Sequence, residues 1–193
     1  MKKLLLILGI LTAGVSYAQL EKGAKLIGLQ THLLANDMYN THWGINFGSS
    51  GYDLGFNIVP TFGYALQRNW LIGAHTTFGI ESIQYKAYGA GYDHTDTYID
   101  LGFAPFTRLY LDLSRNKKWK LFGVAGYEIV YTTTKNYYPQ GSFASTTHSN
   151  KTSGMGSLGG GFAYFGRKLI VDASMSNTAL RLGFYRVLPS RKK

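Results

Sequence analysis

The chain has 193 residues, a formal net charge of +10 and no cysteine. This length suits one domain, and a chain without cysteine must be held together by backbone ladders and packing alone. Its 24 glycines and its aromatic fraction of 15% favour strands and turns over long helices. Beyond the N-terminus no apolar run is long enough for a membrane helix, so the chain could cross a membrane only as strands.

The N-terminus has the pattern of a secretory signal. Lys2 and Lys3 precede an apolar run over residues 4–15, and residues 16–18 put small side chains at the two positions that a signal peptidase reads. The run is shorter than the roughly 20 residues that a membrane anchor needs. We therefore predict a cleaved signal peptide over residues 1–18 and one exported domain over residues 19–193. Export argues against nucleic acid as the partner of the basic charge.

Eight segments alternate apolar residues with small or polar ones, which is the period of a strand whose two faces differ. The clearest runs from Tyr52 to Leu66, with apolar even positions and small or polar odd positions. The fifth segment is less regular because Phe122 shares a face with Lys120 and Glu128. In chain order the segments cover residues 25–33, 52–66, 70–81, 99–111, 119–131, 154–165, 169–175 and 180–185.

The connections between these segments differ systematically in length. Short basic turns follow the second, fourth and sixth strands, and longer segments follow the first, third and fifth. The short turns are residues 67–69, 114–118 and 166–168, the long segments are residues 34–51, 86–96 and 132–152, and a short turn near residues 176–178 joins the last two strands. Long and short connections therefore gather at opposite ends of an up-and-down sheet.

Alternation alone is shared by soluble lipocalin-like barrels and by membrane barrels, but three features favour a membrane barrel. The less apolar face carries glycine and complementary charges, which suits a narrow, filled interior. Long loops lie at one end and tight turns at the other, and aromatic residues cluster near the strand ends. The predicted aromatic girdles are Tyr64, Trp70, Tyr110, Trp119, Tyr164 and Phe165 at the short-turn end, and Tyr85, Tyr98 and Tyr131 at the other.

Three segments carry a resemblance to a known family. Residues 60–73 (PTFGYALQRNWLIG), 104–111 (APFTRLYL) and 120–128 (KLFGVAGYE) resemble the second-to-third hairpin, the fourth strand and the fifth strand of small bacterial outer-membrane β-barrel proteins. These proteins are often labelled porin-like and have an OmpA- or OmpX-like architecture. The resemblance covers about residues 23–187. Such chains often end on an aromatic residue of the last strand, whereas here residues 186–193 follow Phe184 and Tyr185.

The resemblance implies an all-β fold, namely an eight-stranded antiparallel up-and-down transmembrane β-barrel in the bacterial outer membrane. It implies outer-membrane lipid and the outer-membrane insertion machinery as partners. Its motifs identify a scaffold and carry no activity with them.

A barrel of eight strands is just wide enough to be filled by side chains, so the inward polar residues are expected to form buried hydrogen-bonded pairs. The alternative is a narrow path for small polar solutes. The predicted interior network consists of Gln30, His32, Asp53, Asn57, His75, Glu81, Asp100, Arg108, Lys120, Glu128, Asp172 and Arg181.

The two ends of the barrel suggest different partners. The long loops are rich in Tyr, Asn, Ser, Thr and Gly. This composition suits the binding of an extracellular ligand in surface recognition or adhesion. The alternative is that the loops are hydrated and only shield the barrel. The opposite end would face the periplasm, where basic side chains suit anionic phospholipid headgroups. That predicted basic rim consists of Arg68, Arg115, Lys117, Lys118, Arg167 and Lys168.

A lipid-modifying enzyme is the remaining alternative, and its catalytic histidine would be His94 or His148. Neither histidine has an acid and a serine at a spacing that predicts a catalytic arrangement. His94 with Asp93 and Asp96 is a weak metal-binding pattern. The sequence therefore predicts a structural or surface-binding protein with no catalytic residues, no cofactor and no metal site.

Overall fold

The computed structural model describes residues 20–35, 44–48, 51–85, 93–139 and 145–190. The predicted signal peptide, residues 1–18, lies outside these ranges. No helix within them is long and apolar enough to cross a membrane. The strands are β1 (Lys25–Ala35), β2 (Gly44–Gly48), β3 (Gly51–Gln67), β4 (Trp70–Tyr85), β5 (His94–Asp112), β6 (Trp119–Tyr138), β7 (Ser145–Phe165), β8 (Leu169–Ser176) and β9 (Ala179–Leu188).

Eight of these strands form a closed ring. Each strand from β3 to β9 pairs antiparallel with the next, β9 pairs with β1, and β1 pairs with β3 from Lys25 opposite Tyr64 to Gln30 opposite Val59. The predicted eight-stranded antiparallel up-and-down barrel is thereby confirmed. The short β2 was not predicted, because its residues fall in the expected loop 34–51, and it pairs with the far end of β3.

The apolar face of the ring points outward. Along β3 the side chains of Phe56 and Phe62 are each 48% exposed, whereas those of Asn57 and Val59 are fully buried. The other ring strands repeat this alternation. Large exposed apolar side chains include Ile27, Leu29, Ile72, Phe78, Ile80, Leu101, Phe103, Leu109, Ile129, Phe162, Leu169, Met175 and Phe184. The core of the barrel is therefore polar in its middle, which is the reverse of a lipocalin-like interior.

Pro60 lies at a local break in the sheet, as its missing N–H group requires. The ladder between β3 and β4 lacks the pairs at Val59 and Pro60, and it resumes in the same register at Thr61 opposite His75. On its other side Pro60 remains opposite Leu29 of β1.

The barrel wall is tall on one side and short on the other. Strands β6 and β7 pair from Trp119 opposite Tyr164 to Tyr138 opposite Ser145, whereas β8 pairs with β7 only over residues 159–165 of the latter. Most of the loop expected over residues 132–152 is therefore strand. The loop expected over residues 86–96 is shorter than predicted, because β5 already begins at His94. The β6–β7 hairpin projects beyond the β8–β9 hairpin.

Candidate functional site

Eleven of the twelve residues predicted for the interior network are buried inside the ring, and the side chain of Asp53 lies outside the described part of the structure. They come from seven of the eight ring strands. The buried residues are Gln30, His32, Asn57, His75, Glu81, Asp100, Arg108, Lys120, Glu128, Asp172 and Arg181. The polar face of the strands thus forms the lining of the lumen.

An ion pair crosses the lower part of the lumen, which is the part nearer the short-turn end. Arg108 on β5 places Nη1 2.6 Å from Asp172 Oδ2 on β8, and the same nitrogen donates to Tyr185 Oη at 3.3 Å. The guanidinium carbon lies 5.0 Å and 4.9 Å from the ring centroids of Phe106 and Phe122. Aromatic faces attract such a cation, so the charge is both paired and enclosed by rings.

Glycine on the inner face makes room for this cluster. A Cβ atom on Gly28 would lie 2.5 Å from Tyr185 Cδ1, and one on Gly183 would lie 2.5 Å from Asp172 Oδ1. Real side chains cannot approach so closely. The inner face is rich in glycine at this height because the Tyr185 ring and the ion pair occupy the space.

A second ion pair crosses the lumen nearer the tall end, which is the end of the barrel from which the β6–β7 hairpin projects. Arg181 Nη2 on β9 lies 2.8 Å from Glu128 Oε1 and 3.0 Å from Oε2 on β6. Thr178 donates its hydroxyl to the same carboxylate at 2.9 Å, and Arg181 Nη1 donates to Ser176 Oγ at 3.2 Å. The buried charges are thus neutralised and hydrogen-bonded, which is the condition for burying them without a large penalty.

Neutral polar side chains fill other parts of the lining. Asn57 accepts from the His32 backbone N–H at 2.7 Å and donates to its carbonyl at 3.1 Å, so it replaces the β1–β3 ladder where β1 is irregular. Gln30 donates to Thr61 at 2.8 Å. These contacts join β1 to β3, the pair that closes the ring.

Nearer the tall end, Asp100 accepts from the Thr132 hydroxyl at 2.6 Å, which links β5 to β6. Glu81 is buried on the same lining. The imidazole of His75 faces the Phe106 ring at 5.8 Å.

Apolar and aromatic side chains close the short-turn end of the lumen. The Tyr110 ring packs on Phe122 and Phe165 at 5.3 Å and 5.4 Å. Lys120 is buried among them, with its ammonium group bonded to Asp112 and, at 2.8 Å, to Asn69 Oδ1. The floor of the lumen comprises Leu26, Leu71, Tyr110, Phe122, Phe165, Ile170 and Tyr185.

Four of the nine predicted girdle residues do not face outward. Tyr110 and Phe165 belong to the floor, and they are buried because they alternate with outward neighbours. Tyr98 pairs with Glu81 and shares the face of Asp100. Tyr85 lies on the same face of β4 as Glu81, where it stacks on His94. Those on the outer face are Tyr64, Trp70, Trp119, Tyr131 and Tyr164.

The predicted basic rim occupies the turns at the closed end. Arg68 is exposed and lies 4.0 Å from Asp112. Asn116 accepts from the Ser114 hydroxyl at 2.6 Å and from the Lys118 N–H at 3.1 Å. The neighbouring turns are tied together because the Phe165 N–H donates to the Lys118 carbonyl at 2.7 Å. Arg115, Lys117 and Lys118 therefore lie beside Arg167 and Lys168.

The two histidines considered for catalysis, His94 and His148, lie in surroundings without a catalytic arrangement in the described part of the chain. The His94 ring stacks on Tyr85 at 4.5 Å and on Tyr138 at 5.3 Å, and His148 lies exposed on β7 opposite Lys135. Within the described ranges no three His, Asp or Glu residues are grouped to hold a metal ion. The stack instead joins the inner faces of β4, β5 and β6 above the lumen, a feature that the spacing of these residues did not predict.

The similarity of this chain to known proteins comes from solved structures. No protein-family model matches the chain, and no curated protein matches it. Among solved structures the chain is similar to Ail, the attachment invasion locus protein of Yersinia pestis, in complex with the heparin analogue sucrose octasulfate. That match has 17% identity and a TM-score of 0.37, and it covers 86% of this chain and 96% of Ail. A second Ail structure matches at 12% identity and a TM-score of 0.36, with the same coverage.

Proposed function

We propose that this chain is an integral outer-membrane barrel that presents the projecting β6–β7 hairpin as a surface for recognition or adhesion and catalyses no reaction. The outward apolar face of the ring supports the membrane location. A closed ring satisfies its backbone groups internally, as hydrocarbon requires. In water the same exterior would expose a continuous apolar surface, which monomeric soluble proteins avoid.

The two ends of the barrel support an orientation. Short turns and the described chain ends lie together, since Gly23 N donates to Ala65 O at 2.8 Å and Ser190 approaches Gly23. In outer-membrane barrels short turns face the periplasm and longer connections face outward. The β6–β7 hairpin would then project from the cell surface.

The observation that carries the recognition proposal is the open edge of β7. Within the described ranges, no strand pairs with residues 145–155 on the side away from β6. Residues 145–153 read STTHSNKTS, and all but the last are exposed. An unpaired polar strand edge offers main-chain donors and acceptors to an added strand.

The alternation of the backbone identifies which groups face that edge. Leu158 donates to Asn177 Oδ1 at 2.9 Å and accepts from Asn177 N at 3.2 Å, so its main chain points away from β6. The register to β6 is continuous along β7. The main-chain groups of Thr146, His148, Asn150 and Thr152 therefore point to the open edge as well.

The projecting wall is stiffened on its inner face. The Tyr85, His94 and Tyr138 rings form a stack that joins three strands. A preformed surface loses less conformational entropy when it binds a partner, so this stack supports a role in recognition.

The filled lumen supports a protein that does not conduct. Two ion pairs cross the interior at different heights, and an aromatic floor closes it below them. A path for solutes would require these contacts to open, which would leave buried charges unpaired at a cost of several kcal/mol.

Attachment assays with matched variants at one position test the recognition proposal. Cells displaying the chain are compared on a panel of immobilised proteins and glycans with cells displaying Asn150→Pro or Asn150→Ala. Proline removes the edge donor without touching the β6 ladder, whereas alanine removes only the side chain. We expect attachment to be lost with proline and retained with alanine. Attachment no greater than that of cells lacking the chain, across the panel, would contradict the proposal.

A further inference from the structure

The closed end of the β6–β7 wall carries five basic side chains on two adjacent turns. Arg115, Lys117 and Lys118 belong to one turn and Arg167 and Lys168 to the other, and the hydrogen bond from Phe165 N to Lys118 O holds the turns together. No acidic residue occurs in residues 113–119 or 163–171. Asp112, the acid that precedes the first turn, already bonds to Lys120.

An aromatic pair lies directly above these turns on the outer face. Trp119 of β6 and Tyr164 of β7 are opposite each other in the ladder, and their ring centroids are 5.0 Å apart. Tryptophan and tyrosine prefer the boundary between headgroups and acyl chains. The pair therefore marks the depth of that boundary, with the basic turns on its headgroup side.

A shallow apolar groove of about 220 Å³ lies on the same wall, farther from the closed end than the aromatic pair. Gly123 lines this groove, and a Cβ atom on Gly123 would meet nothing within 4 Å. Gly123 is four residues from Trp119, which is about 13 Å along a strand. The groove is lined by Thr107, Leu109, Gly123, Val124, Ala125, Leu158 and Gly159.

We propose that this surface binds one anionic glycerophospholipid of the periplasmic leaflet. Its phosphate lies among the basic side chains of the two turns, its glycerol region lies beside Trp119 and Tyr164, and one acyl chain follows the groove past Gly123. This inference rests on the membrane location proposed above. Charge complementarity selects an anionic headgroup, because each basic side chain near the membrane surface strengthens binding about fivefold.

Quenching of Trp119 fluorescence by spin-labelled lipid tests the site. The full chain carrying Trp43→Phe and Trp70→Phe retains Trp119 as its single tryptophan, and it is reconstituted in phosphatidylcholine vesicles. Equal small fractions of spin-labelled phosphatidylglycerol or spin-labelled phosphatidylcholine are then added. We expect phosphatidylglycerol to quench Trp119 several-fold more strongly, with no competition from inorganic phosphate.

Two pairs of variants separate the headgroup contact from the groove. Arg167→Gln with Lys168→Gln should weaken the binding of phosphatidylglycerol about 25-fold, whereas Lys135→Gln with Lys151→Gln, on the projecting hairpin, should leave it unchanged. Gly123→Leu fills the groove and should weaken the preference several-fold. Gly156→Leu is the matched control because a Cβ atom there also meets nothing within 4 Å.

Four outcomes would overturn the inference. Equal quenching by the two lipids, in vesicles where the barrel runs as a heat-modifiable band, removes the site but leaves the membrane barrel intact. An unchanged preference in Gly123→Leu removes the groove assignment, and suppression of quenching by inorganic phosphate identifies a free-phosphate site instead. Absence of a heat-modifiable band contradicts the membrane barrel itself.

Discussion

Glu128 on β6 and Arg181 on β9 form an ion pair through the lumen, with Arg181 Nη2 2.8 Å from Oε1 and 3.0 Å from Oε2. Both side chains are almost fully buried. The two strands are not adjacent in the ring, because β7 and β8 lie between them. The contact therefore holds distant parts of the wall together.

Removing one partner of this pair should destabilise the barrel strongly. We expect Glu128→Ala to lower the free energy of unfolding by about 3–5 kcal/mol, because it leaves the Arg181 charge buried without its carboxylate. Urea unfolding of the refolded barrel in vesicles measures this loss. The double variant Glu128→Met with Arg181→Met should recover most of it, and a loss below about 1 kcal/mol in Glu128→Ala would contradict the structural role.

The inner glycines should not tolerate even a methyl group where the cluster around Arg108 needs space. Gly183→Ala places Cβ against Asp172 and Tyr185, and we expect it to cost about 1–3 kcal/mol of unfolding free energy. Gly156→Ala is the control, since its Cβ meets nothing within 4 Å, and it should be neutral or stabilise the strand by up to about 1 kcal/mol. Equal stability of the two variants in urea would show that the space around Tyr185 is not tightly filled.

The barrel should not conduct ions. The floor formed by Tyr110, Phe122 and Phe165 closes the lumen, and the pair of Arg108 with Asp172 lies directly above it. Reconstitution in a planar bilayer, with a known porin inserted in parallel as a positive control, should give no stepwise currents. Stable single-channel steps from the purified chain would favour the narrow-channel alternative.

Amide hydrogen exchange should alternate along the upper part of β7. The N–H groups of Thr146, His148 and Asn150 point to the open edge and should exchange quickly, whereas those of Thr147 and Ser149 bond to β6 and should be protected. NMR of the barrel in detergent resolves the residues individually. Uniform protection along residues 145–152 would mean that the edge is covered.

The periodicity of the sequence predicts the ring but not the height of its wall. Over the part of the wall that all eight ring strands share, one face is apolar and the other is not, so segments such as residues 52–66 alternate visibly. On the projecting part of β6 and β7 polar residues occupy both faces, so the runs of threonine, serine and asparagine near Thr132 and Asn150 lose the alternation. The sequence of these residues is therefore typical of a loop, although they form the hydrogen-bonded ladder between β6 and β7.

Residue type alone misplaced part of the girdles, whereas position along the strand would have placed it. Tyr110 is two residues from Arg108, so it shares the inward face, and Phe165 follows the outward Tyr164 directly. The partners of the inward charges could not be read from the sequence at all. Asp172 and Arg108 meet only because the ring closes, and no local pattern reports which strands lie opposite each other.

Heat-modifiability is the measurement that tests a closed, lipid-facing barrel most directly. Outer membranes from cells that produce the chain are isolated, and unboiled and boiled samples are compared on a denaturing gel. A mobility shift on boiling, in the outer-membrane fraction, is the result expected of a closed ring of hydrogen-bonded strands in lipid. A protein recovered from the soluble periplasm, with the same mobility before and after boiling, would contradict the membrane barrel.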